Sequence, residues 1–124
     1  MEMRVLLVDD AAEVRLVLRT FFDYDGRFEV VGEAENGDQA VELCRDLRPD
    51  AVLLDLHMPG LCGQEALVRM REACPETTVV IFTSHADPDA RDTLFAAGAA
   101  AVITKGTHPA MVVAHVAVIL ERPL

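Results

Sequence analysis

The chain has 124 residues, enough for one domain with its own core, and 52% of them are hydrophobic against 26% charged, which excludes a disordered or fibrous chain. With 21 acidic residues against 11 basic the net charge is −10, so no basic surface for direct nucleic-acid binding is expected. The longest apolar stretch, Leu94 to Ile103, falls far short of the ~20 residues that cross a bilayer, and Met1-Glu-Met-Arg4 meets only a short apolar run before two aspartates; the chain is expected to be soluble and cytoplasmic, without an export signal.

Short apolar runs alternate with helix-length segments from end to end, the pattern of parallel βαβ units. The first strand is expected at Arg4–Val8 and ends in Asp9-Asp10. A helix over Ala11–Tyr24 follows, opened by an Asp10-x-x-Glu13 capping pattern, with Val14, Val17, Leu18 and Phe21 as its core stripe. The second strand, Phe28–Ala34, carries two glutamates and a glycine, as a sheet edge does. Asn36 and Gln39 cap the second helix, Gly37–Arg48, and Pro49 closes it. The third strand, Ala51–Leu54, is stopped by Asp55, which is followed at once by Leu56-His-Met-Pro-Gly60 and a helix over Gln64–Ala73. The fourth strand, Thr78–Thr83, ends in Thr83-Ser84. Asp87 and Pro88 open a helix over Pro88–Ala97, and Gly98 stops it. The fifth strand, Ala101–Thr104, ends in Lys105, and the last helix covers Pro109–Glu121.

Five strands, each followed by a helix, predict an α/β fold of flavodoxin-like type: a three-layer αβα sandwich with a five-stranded parallel sheet in the order 2-1-3-4-5, as a single domain over residues 1–124. Strands one, three, four and five are the most apolar because both their faces are covered. In such a sheet ligands bind at the carboxyl ends of the strands. Those ends gather Asp9, Asp10, Asp55, Thr83 and Lys105. Three carboxylates with one hydroxyl and one ammonium suit a divalent metal and a phosphoryl group.

Aspartate can accept a phosphoryl group as an acyl phosphate, which makes Asp55 the candidate nucleophile. Phosphoryl transfer needs positioning and charge neutralisation more than covalent help, so a metal and a fixed cation belong beside it. Mg²⁺ takes carboxylates, carbonyls and water. Asp10, Asp55 and the backbone carbonyl of His57 can supply that shell, with Asp9 acting partly through water. Lys105 can pair with Asp55 and then with a phosphoryl oxygen, and the Thr83 hydroxyl can donate to another. Each residue alone has a plainer reading: Asp10 as a helix cap, Asp55 as the start of a loop, Lys105 as an exposed lysine, Thr83 as an ordinary strand-end residue. Their joint placement after neighbouring strands selects the site. Cys44, Cys62 and Cys74, with His57, His85, His108 and His115, show no zinc-ligand spacing, so the thiols are expected to be free.

With Asp9-Asp10, Asp55-Leu-His-Met-Pro-Gly60, Thr83-Ser84 and Lys105 each following its strand in this order, the chain resembles the receiver domains of two-component response regulators along essentially its whole length. The resemblance implies a signalling phosphoacceptor rather than a turnover enzyme. A sensor histidine kinase or a histidine phosphotransfer protein would pass a phosphoryl group to Asp55 in the presence of Mg²⁺. Lys105 and Thr83 would read the modification, and the fourth helix, fifth strand and fifth helix would change shape. It also implies docking of the phosphodonor on the first helix, where Arg15 is a candidate contact. Two positions depart from the family pattern. Val102 stands where receivers often carry a switching Tyr or Phe, and an aliphatic side chain cannot swing between buried and exposed positions in the same way; Gly106 stands where proline is common.

The last helix has only His115 as a polar residue between Ala110 and Leu120, whereas a surface helix normally shows a polar half. If Val112, Val116, Ile119 and Leu120 face the sheet, then Met111, Ala114, His115 and Val118 face outward and predict a partner or a homodimer at this face. His57 and His85 are expected at the rim of the site, where they can shape access of water. Three other functions compete with this reading. An aspartate-nucleophile phosphatase of haloacid-dehalogenase type wants Asp-x-Asp after the first strand, but here the aspartates are adjacent. A flavin-binding module wants a Thr/Ser/Gly-rich phosphate loop there, and Val8-Asp-Asp-Ala-Ala12 would repel a phosphate. A receiver belonging to a DNA-binding regulator, with its effector domain elsewhere, is compatible with every residue.

Overall fold

The structure is a computed structural model in which residues 2–85 and 87–121 are described. Five strands, β1 (Met3–Val8), β2 (Phe28–Ala34), β3 (Ala51–Leu54), β4 (Thr78–Thr83) and β5 (Ala101–Thr104), alternate with five helices, α1 (Ala12–Asp25), α2 (Gly37–Leu47), α3 (Gly63–Ala73), α4 (Pro88–Ala96) and α5 (Pro109–Glu121). The strands form one parallel sheet in the order β2-β1-β3-β4-β5, as expected.

Strand alternation builds two cores. Leu6, Val8, Val52, Leu54, Val79 and Ile81 point to one face, where α2, α3 and α4 cover them with Val41, Leu67, Met70 and Leu94. Val5, Leu7, Leu53, Val80, Phe82 and Ile103 point to the other, under Leu18 and Phe22 of α1 and Val112, Val113 and Val116 of α5. Because successive side chains alternate, β1, β3 and β4 carry apolar residues on both sides, and this is why they read as unbroken apolar runs.

Two expectations about α1 need correction. Its core stripe is Leu18 and Phe22, with Val14 and Phe21 partly buried, while Val17 is 43% exposed. Residues 14, 18 and 22 recur at four-residue spacing and hold one line along the helix, which Val17 leaves. Asp10 does not cap the helix: Ala11 is the N-cap, without a side-chain bond, and Asp9 Oδ1 accepts the Ala11 N–H at 2.9 Å. The Asp10 carboxylate is turned instead toward the other site aspartates. Arg15, offered above as a docking contact, is occupied inside the fold, as described below.

Other ends behave as their sequences require. Asn36 Oδ1 accepts the Gln39 N–H at 2.8 Å, and Gln39 Oε1 reaches back to the Glu35 N–H rather than to that of Asn36. Asp87 caps α4 through the Ala90 N–H, with Pro88 in the first turn. Gly98, at φ +109°, ends that helix in a conformation that side-chain-bearing residues avoid.

Candidate functional site

Strand register sets the site. Val8 of β1 lies opposite Leu54 of β3, so Asp9 and Asp55 emerge side by side, and the Asp55 N–H donates to the Val8 carbonyl at 2.9 Å. The residue alternation that places Val5, Leu7, Leu53 and Phe82 on the α1–α5 face continues through Asp9, Asp55 and Lys105. The three therefore meet on one side of the sheet. Lys105 Nζ lies 2.8 Å from Asp9 Oδ2 and 3.4 Å from Asp55 Oδ2, and 5.9 Å from the centre of the Phe82 ring. It was expected to pair with Asp55; its closer partner is Asp9.

Thr83 has the opposite parity. It aligns with Thr104 and continues the row of Val79 and Ile81. It is fully buried, and its hydroxyl donates to the His85 carbonyl at 3.2 Å. Here the hydroxyl is engaged by its own loop rather than by the acidic cluster.

Asp9 and Asp55 are buried and Asp10 is exposed, and one carboxylate oxygen from each lies within 4.8 Å of the others. Asp55 Oδ1 accepts the His57 N–H at 3.0 Å, which ties the start of the following loop to the acid. Burial, followed by the neighbouring Asp9 charge, holds the Asp55 carboxyl above its ordinary range, against the lowering effect of the His57 N–H and of Lys105. Burial pulls the Lys105 ammonium down, but the Asp9 and Asp55 carboxylates outweigh it, and its pKa stands above the ordinary lysine value.

These residues fit a hard divalent cation. The donor set is all oxygen, and the one ammonium, Lys105, sits 2.8 Å from Asp9 Oδ2 and 3.4 Å from Asp55 Oδ2. Three carboxylates against one ammonium leave a negative charge that a divalent cation would offset. Among the described residues no other group of three metal-ligating side chains comes together. Cys44 and Cys74 are buried, Cys62 is exposed, and all three are free. Burial, with Cys74 beside it, pushes the Cys44 thiol up to about 12, so it stays an unreactive part of the core.

Two glycines hold the loop after Asp55. A Cβ on Gly63 would lie 2.4 Å from Leu56 Cα and 2.7 Å from the Asp55 carbonyl oxygen, and one on Gly37 would lie 2.4 Å from the Leu61 carbonyl oxygen. Neither contact is visible in the sequence, since each joins a helix start to a distant backbone segment. Beside Lys105 an apolar hollow of about 280 Å³ opens between α1 and α5, lined by Val14, Val17, Phe82 and Pro109.

A family model for the response regulator receiver domain matches residues 5–117. The chain is 39% identical over 104 residues to the response regulator GacA of Pseudomonas aeruginosa, covering 83% of this chain and 48% of that protein. It is 36% identical over 112 residues to the response regulator UvrY of Escherichia coli, covering 90% and 51%. An uncharacterized transcriptional regulatory protein, YhcZ of Bacillus subtilis, is 36% identical over 107 residues, covering 86% and 50%. The chain thus spans about half the length of the curated relatives it matches. Among solved structures, the signal receiver domain of the putative response regulator NarL from Mycobacterium tuberculosis superposes with a TM-score of 0.92 at 29% identity, over 98% of both chains. A LuxR-family two-component response regulator from Aurantimonas superposes at 0.90 with 34% identity, over 97% of this chain and 86% of that one.

Proposed function

The chain belongs to the response regulator receiver family, and from that premise we propose that residues 1–124 form one signalling domain whose phosphoacceptor is Asp55. The observation that carries this reading is the buried Asp55 carboxylate, with oxygens of Asp9 and Asp10 within 4.8 Å and Lys105 Nζ at 3.4 Å. The phosphodonor is a sensor histidine kinase or a histidine phosphotransfer protein. An Asp55 oxygen attacks the phosphorus of a phosphohistidine. The new P–O bond forms as the P–N bond breaks, and the imidazole leaves with the electron pair and takes up a proton.

Mg²⁺, held by Asp9, Asp10, Asp55 and the His57 carbonyl, would neutralise charge on the phosphoryl oxygens. Lys105 supplies the fixed cation and follows the charge from Asp55 to the phosphoryl group, and Thr83 turns its hydroxyl from the His85 carbonyl toward a phosphoryl oxygen. Hydrolysis reverses the modification by attack of water on phosphorus. The domain thus catalyses only its own phosphorylation and dephosphorylation, in the cytoplasm. Intact mass measurement tests this. With acetyl phosphate and Mg²⁺ the protein is expected to gain one alkali-labile phosphoryl group, and none when the metal is chelated. No gain in mass under either condition would remove the phosphoacceptor reading.

The docking surface for the phosphodonor is the exposed part of α1, with Leu16 and Val17 beside the hollow next to Lys105, in place of Arg15. The output is the face made by α4, β5 and α5. Val102 is buried there, so the conformational change is carried by the loops after β4 and β5 rather than by a swinging aromatic ring. As its composition led us to expect, α5 presents Met111 and Val118, 67% exposed, with His115 between them. We assign this face to a homodimer contact. Sedimentation is expected to show dimers that strengthen with a phosphoryl mimic; a strict monomer in both states would defeat the assignment. Because the chain spans about half of relatives that include a transcriptional regulatory protein, the receiver is also read as the regulatory half of a DNA-binding regulator, with no direct nucleic-acid contact of its own.

A further inference from the structure

We infer that Arg15 is a positioning residue for the metal-binding turn, an inference that rests on the acidic site holding Mg²⁺. Arg15 is on the first turns of α1, but only 15% of its side chain is exposed. Its Nη1 donates to the backbone carbonyl of Asp9, and its Nε donates to Glu33 Oε1 on β2 at 3.0 Å. One guanidinium thus ties the edge strand to the turn that carries Asp9 and Asp10. A planar fork can make both bonds at fixed angles, which an ammonium cannot.

With this bond every polar atom of Asp9 has a defined neighbour. Its N–H donates to the Ala34 carbonyl at 3.0 Å, its carbonyl accepts from Arg15, its Oδ1 accepts from Ala11, and its Oδ2 faces Lys105. The carboxylates of Asp9 and Asp10 repel each other and that of Asp55, so the turn would relax outward unless something other than the cation held it. Arg15 does so through the backbone and takes up neither carboxylate oxygen of Asp9. Glu33 balances its charge, so the guanidinium does not act as a bare competitor for the cation. Outer partners of this kind, which orient ligands without touching the metal, typically change metal affinity by about 10–100-fold when removed.

The fold contains its own control. Arg19 lies one turn further along α1 and also pairs with Glu33, Nη2 to Oε2 at 2.9 Å, but makes no bond to Asp9. In calorimetric titration of the unphosphorylated protein with MgCl₂, Arg15→Gln is expected to weaken binding about tenfold. Arg19→Gln is expected to stay within about twofold of the original, since it leaves the Asp9 carbonyl bonded. Glu33→Gln, which frees Arg15 from its anchor, is expected to fall between the two. The double variant Arg15→Gln/Glu33→Gln is expected to be no worse than Arg15→Gln alone, as for members of one network. Melting temperatures without metal separate this role from a merely structural one, which would lower stability in the Arg15 and Arg19 variants alike and leave Mg²⁺ affinity untouched. Unchanged affinity in Arg15→Gln, or an equal loss in Arg19→Gln, overturns the inference. If Arg15→Gln does not fold, the Glu33→Gln titration decides by the same criterion. An original protein that binds no Mg²⁺ overturns both this inference and the proposed site, whereas normal Mg²⁺ binding with an unaffected Arg15→Gln overturns this inference alone.

Discussion

Asp55→Asn is expected to abolish phosphorylation outright and, in the same molecule, to make the metal-free protein more stable at neutral pH. The loss is chemical: a carboxamide has no anionic oxygen to attack phosphorus. The gain in stability follows from the raised Asp55 pKa, caused first by burial and then by Asp9. A carboxyl whose folded pKa lies above its unfolded value binds protons more tightly in the folded state. Its ionisation therefore costs stability as pH rises from the unfolded value, ~3.9, through the folded one. At neutral pH the asparagine variant escapes that cost, and Lys105 keeps Asp9 as its partner at 2.8 Å. One charge pair at about 4 Å is worth from about 1 kcal/mol in bulk water to about 4 kcal/mol near a protein surface, and a gain at the low end of that range raises the melting temperature by about 4 °C. Below the unfolded pKa the acid is protonated in both states, so the advantage should vanish toward pH ~3. Added Mg²⁺ should invert the order, since the protein with all its ligands gains about 2.7 kcal/mol at a hundredfold excess over Kd while the variant gains less. A metal-free variant that melts no higher at pH 7, or an advantage that persists unchanged to pH 3, would show that the buried charge of Asp55 is not what strains this pocket.

Gly63→Ala is expected to cost about 2–3 kcal/mol, the upper part of the range of about 1–3 kcal/mol for overfilled sites, and so to lower the melting temperature by about 10 °C. Alanine is the better helix former by about 1 kcal/mol, so on propensity alone the sign would be the reverse. Space decides it. The added Cβ would meet Leu56 Cα at 2.4 Å and the Asp55 carbonyl oxygen at 2.7 Å, and both are backbone atoms that no side-chain rotation can move. Relief requires shifting the segment that carries Asp55, so acetyl phosphate should also modify the variant more slowly. Gly106→Ala is the control: nothing lies within 4 Å of its Cβ position, and its effect should be near zero or slightly favourable. Similar melting temperatures for the two variants would mean that the loop yields freely.

Much of this was legible in the residues. Four apolar runs, each stopped by a polar residue, marked four strands, the polar Phe28–Ala34 segment marked the edge, and the alternation with helices pointed to their order; Asn36, Asp87 and Gly98 marked helix ends where local chemistry alone decides them. Where tertiary structure competes with local preference, the residues misled. Asp10 has the spacing of a cap, yet its carboxylate is drawn to the acidic cluster. Val17 has the spacing of a core residue, yet Phe22, large and fully buried, sets the rotation of α1. The bonds of Arg15 were not legible because its partners, Glu33 and the Asp9 carbonyl, are brought to it only by the pairing of β1 with β2. The preference of Lys105 for Asp9 follows from register and parity, which a list of spacings does not contain.

The opposite parities of Asp55 and Thr83 have a consequence for how the domain works. Asp55 belongs to the layer that holds α1 and α5, whereas the Thr83 hydroxyl is anchored on the face covered by α2, α3 and α4. If Asp55 is the phosphoacceptor and Thr83 its responder, as proposed, the signal would have to cross the thickness of the sheet at its rim, where the strands have ended. Of the two layers, α5 packs with α1 on the Asp55 side, so the proposed output face of α4, β5 and α5 straddles both.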